Sequence, residues 1–332
     1  MEQHTPRQRR FGSRRGAGRS PRRIAARPRV LMGAVCAAVL AVALAAGFFS
    51  AAGARTLTAA GGLSAASPAA GGAPAAPGVE ASADASAEVS APASDKAAGT
   101  ADAALDARIQ AILDANSQYQ IGVALMDVSS GADPAEVHEY GVREDFVAAS
   151  TAKVLAAAAY YHLVETGAAS VDDPLGAYTA RFQLREMIQQ SDNDSWSLVM
   201  DAVGHSELTD YAASLGVDYD PETNRLTPAA MARILAGVYS GTLLDAADTA
   251  ELLSYMQDTN YETLIPAAVP DGITVFHKYG LLNDELHDAG ILTRDGTACA
   301  LVIYTKGQDL SDVPERTEVI HQLTQAVAGA LF

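Results

Sequence analysis

Hydrophobic and polar positions along this chain change character several times. Residues 30–54 are almost wholly apolar and carry no charge, a run long enough for a membrane-spanning helix. Residues 55–101 collapse into Ala, Gly, Ser and Pro with scattered acids. Such a segment buries too little apolar surface to offset the entropy of ordering, and a flexible tether is predicted. Periodicity begins near Asp102: Leu105, Ile109, Ile112 and Leu113 recur at helical spacing, and 121–128 (IGVALMDV) reads as a strand, with a second over 136–146. From Ala152 the period is helical. Helices are predicted over 154–166, 181–190, 195–203 and 207–215, three of them stopping at Gly167, Gly204 and Gly216. Thr227-Pro228 then reads as a cap with proline in the first turn, leading an apolar stripe to Val238, and another helix follows over 245–257. Strand patterning returns over 273–278, 289–293 and 298–305, with turn signals at Asn283-Asp284 and Asp295-Gly296, and an amphipathic helix over 313–331 closes the chain. Strands at both ends of a helical block predict an α/β (α+β) class, one sheet built from distant segments with an all-helical lobe inserted.

Charge divides the chain further. The net charge of −17 conceals a head, residues 1–29, with ten arginines and a single acidic residue, Glu2. Beside an apolar run, such a head reads as a cytoplasmic tail. The acidic remainder would repel phosphates and argues against nucleic-acid binding. The expected organisation is therefore a tail over 1–29, a transmembrane anchor or signal over 30–54, a linker over 55–101 and a folded domain over 102–332. A retained anchor with the C-terminal domain extracytoplasmic is favoured, because the n-region is long for a removable signal. Ala52-Gly53-Ala54 keeps cleavage and secretion open as the alternative. Two cysteines, Cys36 and Cys299, give no disulfide framework and exclude a cysteine-rich zinc site. No metal-ligand spacing appears among the histidines, and no metal or other cofactor is expected.

Candidate chemistry starts from the scarcity of lysine, of which the chain has only Lys96, Lys153, Lys278 and Lys306. In Ser150-Thr151-Ala152-Lys153 the serine and lysine lie one helical turn apart on one face. A lysine in a dry pocket loses its charge readily and can take the proton of a serine nucleophile. Ser191-Asp192-Asn193 falls in the turn between two central helices, and Lys278-Tyr279-Gly280 on the first strand of the C-terminal group.

Taken in chain order, these three elements resemble the Ser-x-x-Lys, Ser-Asp-Asn and Lys-Thr-Gly set of class A β-lactamases and penicillin-binding proteins, and the resemblance spans roughly residues 102–332. It implies a β-lactamase/transpeptidase-like fold, an antiparallel sheet flanked by helices. It also implies acyl transfer to Ser150 with Lys153 as base, and an oxyanion hole from the backbone N–H groups of Ser150 and Leu281. Ser191 would relay a proton to the leaving nitrogen, with Lys278 holding its hydroxyl and attracting a substrate carboxylate. Asn193 would position a substrate amide and help fix Lys153, and Gly280 would let substrate approach the strand. The implied partners are small-molecule β-lactams or D-alanyl cell-wall peptides.

Two departures qualify the resemblance. Tyr279 stands where the family has a small hydroxyl residue, which bears on carboxylate recognition. The Glu-x-x-Leu-Asn loop that supplies a deacylating base is missing from the short stretch 217–227. Glu222 is the nearest substitute, and without it the acyl-enzyme should be long-lived. His277 and His287-Asp288 are expected either to face the cleft or to stabilise a turn. A D,D-peptidase-like cell-wall enzyme, and a non-catalytic tethered module that binds cell-wall material or β-lactams, remain as alternatives.

Overall fold

The computed structural model describes residues 94–129 and 136–332. The predicted tail, the apolar run and most of the predicted linker lie outside these residues. Among the described residues no helix is long and apolar enough to cross a membrane. The first helix, α1, spans Ser94–Ala115, so the boundary read at Asp102 falls inside it.

Five strands form the main sheet: β1 (Gln120–Asp127), β2 (His138–Gly141), β7 (Thr274–Leu282), β8 (Glu285–Arg294) and β9 (Thr297–Lys306). Their order is β2-β1-β9-β8-β7 and every pairing is antiparallel. The N-terminal strand β1 lies against the last strand, with Ala124 opposite Val302. The sheet therefore closes only through residues from both ends of the domain, as the sequence pattern predicts. Tight turns join the C-terminal strands, with Asn283 and Asp295 in the left-handed region at φ 54° and 52°.

Both faces of the sheet are covered, which explains the unbroken apolar run of β9. Ala300, Val302 and Tyr304 face one cluster while Cys299, Leu301 and Ile303 face the other. The second cluster is closed by α1 and by the last helix, α9 (Val313–Leu331). The first is closed by the inserted lobe: α2 (Lys153–Glu165), α3 (Ala180–Gln189), α4 (Asn193–Val203), α5 (His205–Ser214), α6 (Pro228–Tyr239) and α7 (Ala246–Tyr255). Asp192 caps α4 through Ser195 N, and Thr227 caps α6 through Ala230 N just before Pro228. The remaining pieces are short: β3 (Phe146–Val147) with β6 (Arg225–Leu226), β4 (Pro174–Leu175) with β5 (Tyr178–Thr179), and the single-turn α8 (Ile265–Ala268).

Candidate active site

The two predicted motifs nearest in sequence are carried by the start of α2 and the turn between α3 and α4. Ser150 sits in a 3-10 turn, Ala149–Ala152, that runs directly into α2. Its N–H lies in a first helical turn, where donors have no intrahelical carbonyl. Ala149, immediately before it, is held at φ 50°, a left-handed conformation that an alanine adopts only under constraint. The constraint is visible: Ala148 N donates to Asn224 O (2.8 Å) and Asn224 Nδ2 donates to Ala149 O (3.1 Å). Thr151, fully buried, bonds Ala148 O at 2.7 Å and the Tyr304 hydroxyl at 2.5 Å.

Behind this turn stands His287. Its Nδ1 accepts from Thr305 N (3.1 Å) and its Nε2 donates to Val147 O (2.9 Å), which fixes a neutral tautomer. Its ring stacks on Tyr304 at 4.2 Å, and full burial lowers its pKa to about 4. His287 thus braces the Ser150 segment from inside the core and does not face the cleft.

Lys153 is 3% exposed and joins the first motif to the second. Its Nζ donates to Ser191 O (2.7 Å), Asn193 Oδ1 (2.8 Å), Asp192 O (3.3 Å) and Ser191 Oγ (3.4 Å). Burial lowers its pKa to about 8, against the opposing charge of Asp192. Ser191 itself has φ 55°, which turns its carbonyl toward the amine at the end of α3. Among the described residues Ser150 Oγ is not a hydrogen-bond partner of Lys153.

The third motif lies on the free edge of the sheet. His277 N leaves the sheet to donate to Met256 O (2.8 Å), so the alternate N–H groups of Tyr279 and Leu281 point off the same edge. Gly280 serves a different purpose from the one predicted. A Cβ there would stand 3.1 Å from Ala148 O and Ala149 Cβ and 3.2 Å from Thr151 Cγ2, so the missing side chain admits the Ser150 segment.

Lys278 also departs from expectation. It is fully buried, its Nζ donates to Tyr279 O (3.2 Å) and lies 4.0 Å from the centroid of the Tyr279 ring, and no hydrogen bond joins it to Ser191. Burial and the neighbouring Lys153 charge push its pKa well below the usual lysine range. Tyr279 takes the place beside Ser191 and Asn260, and burial raises its pKa while these two neighbours oppose the rise.

His277, predicted as a possible cleft residue, is fully buried. Nδ1 contacts Asp288 at 2.9 Å, and Nε2 contacts Thr259 Oγ1 at 3.0 Å and Glu262 at 3.2 Å. The two carboxylates raise its pKa to about 9 despite burial. The pair ties β7 to the 256–264 loop, which in turn docks on the second motif through Asn260 N to Gln189 O (3.0 Å) and Asn260 Nδ2 to Gln190 O (2.8 Å). Sequence patterning gave no sign of this loop. Glu222 is exposed, and among the described residues its side chain makes no hydrogen bond. Asn224, two residues later, is the member of that stretch that reaches the nucleophile segment; its positive φ of 50° suits Asn, the one available sequence signal.

Among the described residues no carboxylate side chain hydrogen-bonds either site lysine. The described carboxylates close enough to share a cation, Glu165, Asp245 and Asp248, stand at the opposite end of α2 from Lys153. A cleft of about 340 Å³ lined by Leu105, Asp127, His138 and Thr297 contains none of the motif residues.

Comparison with known proteins adds the family context. The family described as the Beta-lactamase enzyme family matches residues 104–331. Among solved structures, a mutant of PBP-A in an acyl-enzyme complex with penicillin G is similar at 24% identity, covering 69% of this chain and 96% of that one, with a TM-score of 0.62. A β-lactamase from Chitinophaga pinensis DSM 2588 is similar at 23% identity, covering 68% and 98%, with a TM-score of 0.61. A mutant of the class A β-lactamase of the last common ancestor of Gram-negative bacteria gives the same values, 23%, 68%, 98% and 0.61. No curated protein matches the chain. At these identities the likeness to solved structures shows the fold, an antiparallel sheet with flanking helices.

Proposed function

Since the chain belongs to the Beta-lactamase enzyme family, we propose that it is a serine hydrolase that forms an acyl-enzyme on Ser150 with β-lactams or D-alanyl peptides. One observation carries the reading: the nearly buried Lys153 amine, its pKa lowered to about 8, is held by Ser191 and Asn193 within one turn of Ser150. A neutral amine in that position takes the proton of Ser150 as the hydroxyl attacks the carbonyl carbon. Negative charge developing on the carbonyl oxygen then meets the N–H groups of Ser150 and Leu281. Ser191, whose Oγ accepts from Lys153, passes the proton to the departing nitrogen. Asn193 is exposed at the mouth of this arrangement and is positioned to bond a substrate amide while its oxygen holds Lys153.

The exposure of Glu222 and its lack of side-chain hydrogen bonds favour slow release of the acyl group, closer to a penicillin-binding protein than to a fast β-lactamase. Intact-mass measurement of the full chain after incubation with a penicillin tests the proposal: a persistent adduct equal to the added penicillin is expected, and none on Ser150→Ala. The absence of an adduct with several β-lactams would leave the non-catalytic binding module as the better account. The apolar run at 30–54 behind an Arg-rich head supports a membrane-tethered, extracytoplasmic placement. Cell fractionation checks this, and a soluble mature form beginning near Arg55 would contradict it.

A further inference from the structure

Resting on this acyl-transfer reading, we propose that Tyr279 is a specificity-determining residue that withdraws Lys278 from substrate recognition. The site then takes acyl donors whose carboxylate is absent, esterified or amidated as readily as those with a free carboxylate. The argument begins with what surrounds the lysine. Its side chain is fully buried, Tyr279 O accepts from Nζ at 3.2 Å, and the Tyr279 ring lies over Nζ at 4.0 Å. A substrate anion can reach that amine only by displacing the ring.

The ring is held from several sides. Tyr261 stacks on it with centroids 4.7 Å apart and planes 30° from parallel. Its hydroxyl lies beside Ser191 and Asn260, and Asn260 is fastened to the end of α3 through Gln189 O and Gln190 O. Tyr279 therefore belongs to a packed wall beside the relay serine.

Charge points the same way. The Lys278 amine is desolvated and sits near a second lysine, so its positive form is disfavoured and its attraction for an anion is weak. What the half-buried Tyr279 and Tyr261 present toward solvent, beside the exposed Asn260, is aromatic surface and one amide. Such a wall suits a neutral ester, an amide or an apolar substituent better than a carboxylate.

The test compares second-order acylation rates of the full chain by penicillin G and by its methyl ester, in wild type, Tyr279→Thr and Tyr279→Phe. The acid-to-ester ratio is expected to lie within about threefold of unity in wild type and to stay there in Tyr279→Phe, whose ring still covers the lysine. In Tyr279→Thr it should rise at least about tenfold, about 1.4 kcal/mol of discrimination. A wild-type preference for the acid beyond tenfold, or a Phe variant that behaves like Thr, would overturn the shielding.

A second readout needs no acylation. Reductive methylation followed by peptide mass spectrometry should leave Lys278 unmodified in wild type and Tyr279→Phe, and modify it in Tyr279→Thr at a rate approaching that of the partly exposed Lys306. Labelling of Lys278 in wild type as fast as Lys306 would equally sink the proposal. Failure of both compounds to form an adduct would reject acyl transfer, and the specificity with it, leaving the labelling to report on the shielding alone.

Discussion

Replacing Asp192 by Asn tests the Lys153 base through charge alone. At pH 7 a lysine titrating at about 8 is neutral in roughly one molecule in ten, against roughly one in three thousand at the ordinary 10.5, about a 300-fold gain in available base. Burial produces the shift, and the Asp192 charge opposes it. An asparagine at 192 still accepts from Ser195 N and keeps the α4 cap, and the backbone oxygens that hold Lys153 stay in place. Only the charge is lost, so the lysine should titrate lower. A displacement of about half a pH unit would raise the neutral fraction at pH 7 about threefold. The assay is stopped-flow acylation of the full chain by a chromogenic cephalosporin between pH 6 and 10. In wild type the rate should climb about tenfold per pH unit and level off near pH 8, and in Asp192→Asn the midpoint should move down. A profile flat from pH 6 to 9, or a midpoint that moves up in the variant, would refute Lys153 as the base.

Stability should depend on pH from both buried histidines. His287 is neutral in the fold with its pKa lowered to about 4, so its contribution is complete above 6.5 and lost as pH falls toward 4; urea unfolding at pH 5 should show a loss of about 2 kcal/mol relative to pH 7 from this group. His277 is raised to about 9, so its contribution is complete below 6.5 and is lost as pH rises toward 9; a decline of order 1–2 kcal/mol between pH 6.5 and 8 should disappear in His277→Gln. Gly280→Ala places a methyl group 3.1 Å from Ala148 O, and should lower stability by about 1–3 kcal/mol in denaturant titration and slow acylation by displacing the Ser150 segment. Glu222→Gln should leave the lifetime of the acyl adduct unchanged in time-resolved mass spectrometry, since the exposed side chain touches nothing in the site.

The elements were legible where periodicity was strong. The helix predicted over 313–331 is present as Val313–Leu331, and the C-terminal strands were located with their turns, although β7 runs on to Leu282 because its pairing with β8 continues to the hairpin. The motif residues were legible too, and the structure brings Lys153, Ser191 and Asn193 into contact across about 40 positions of sequence. What sequence could not convey was the consequence of enclosure. Nothing in the order Lys278-Tyr279 says that the second residue will cover the first, because that depends on Asn260 and Tyr261 arriving from a loop without periodicity. His287 and Tyr304 read as ordinary strand residues until the sheet stacks them behind Thr151. Gly280 was read by its freedom to admit a ligand, yet its neighbour is the chain itself.

The pairing of β1 with β9 also sets an order of events. Ala124 must find Val302, about 180 residues downstream, before the sheet that carries the third motif is complete. Contacts of such sequence separation incur their loop-closure entropy before any packing returns it, which slows folding. A chain emerging N-terminus first therefore holds β1 with only β2 beside it until β9, near the C-terminus, appears. The Ser150 turn leans on Tyr304 of that last strand through Thr151, so an unfinished polypeptide carries Ser150 in a turn without its brace.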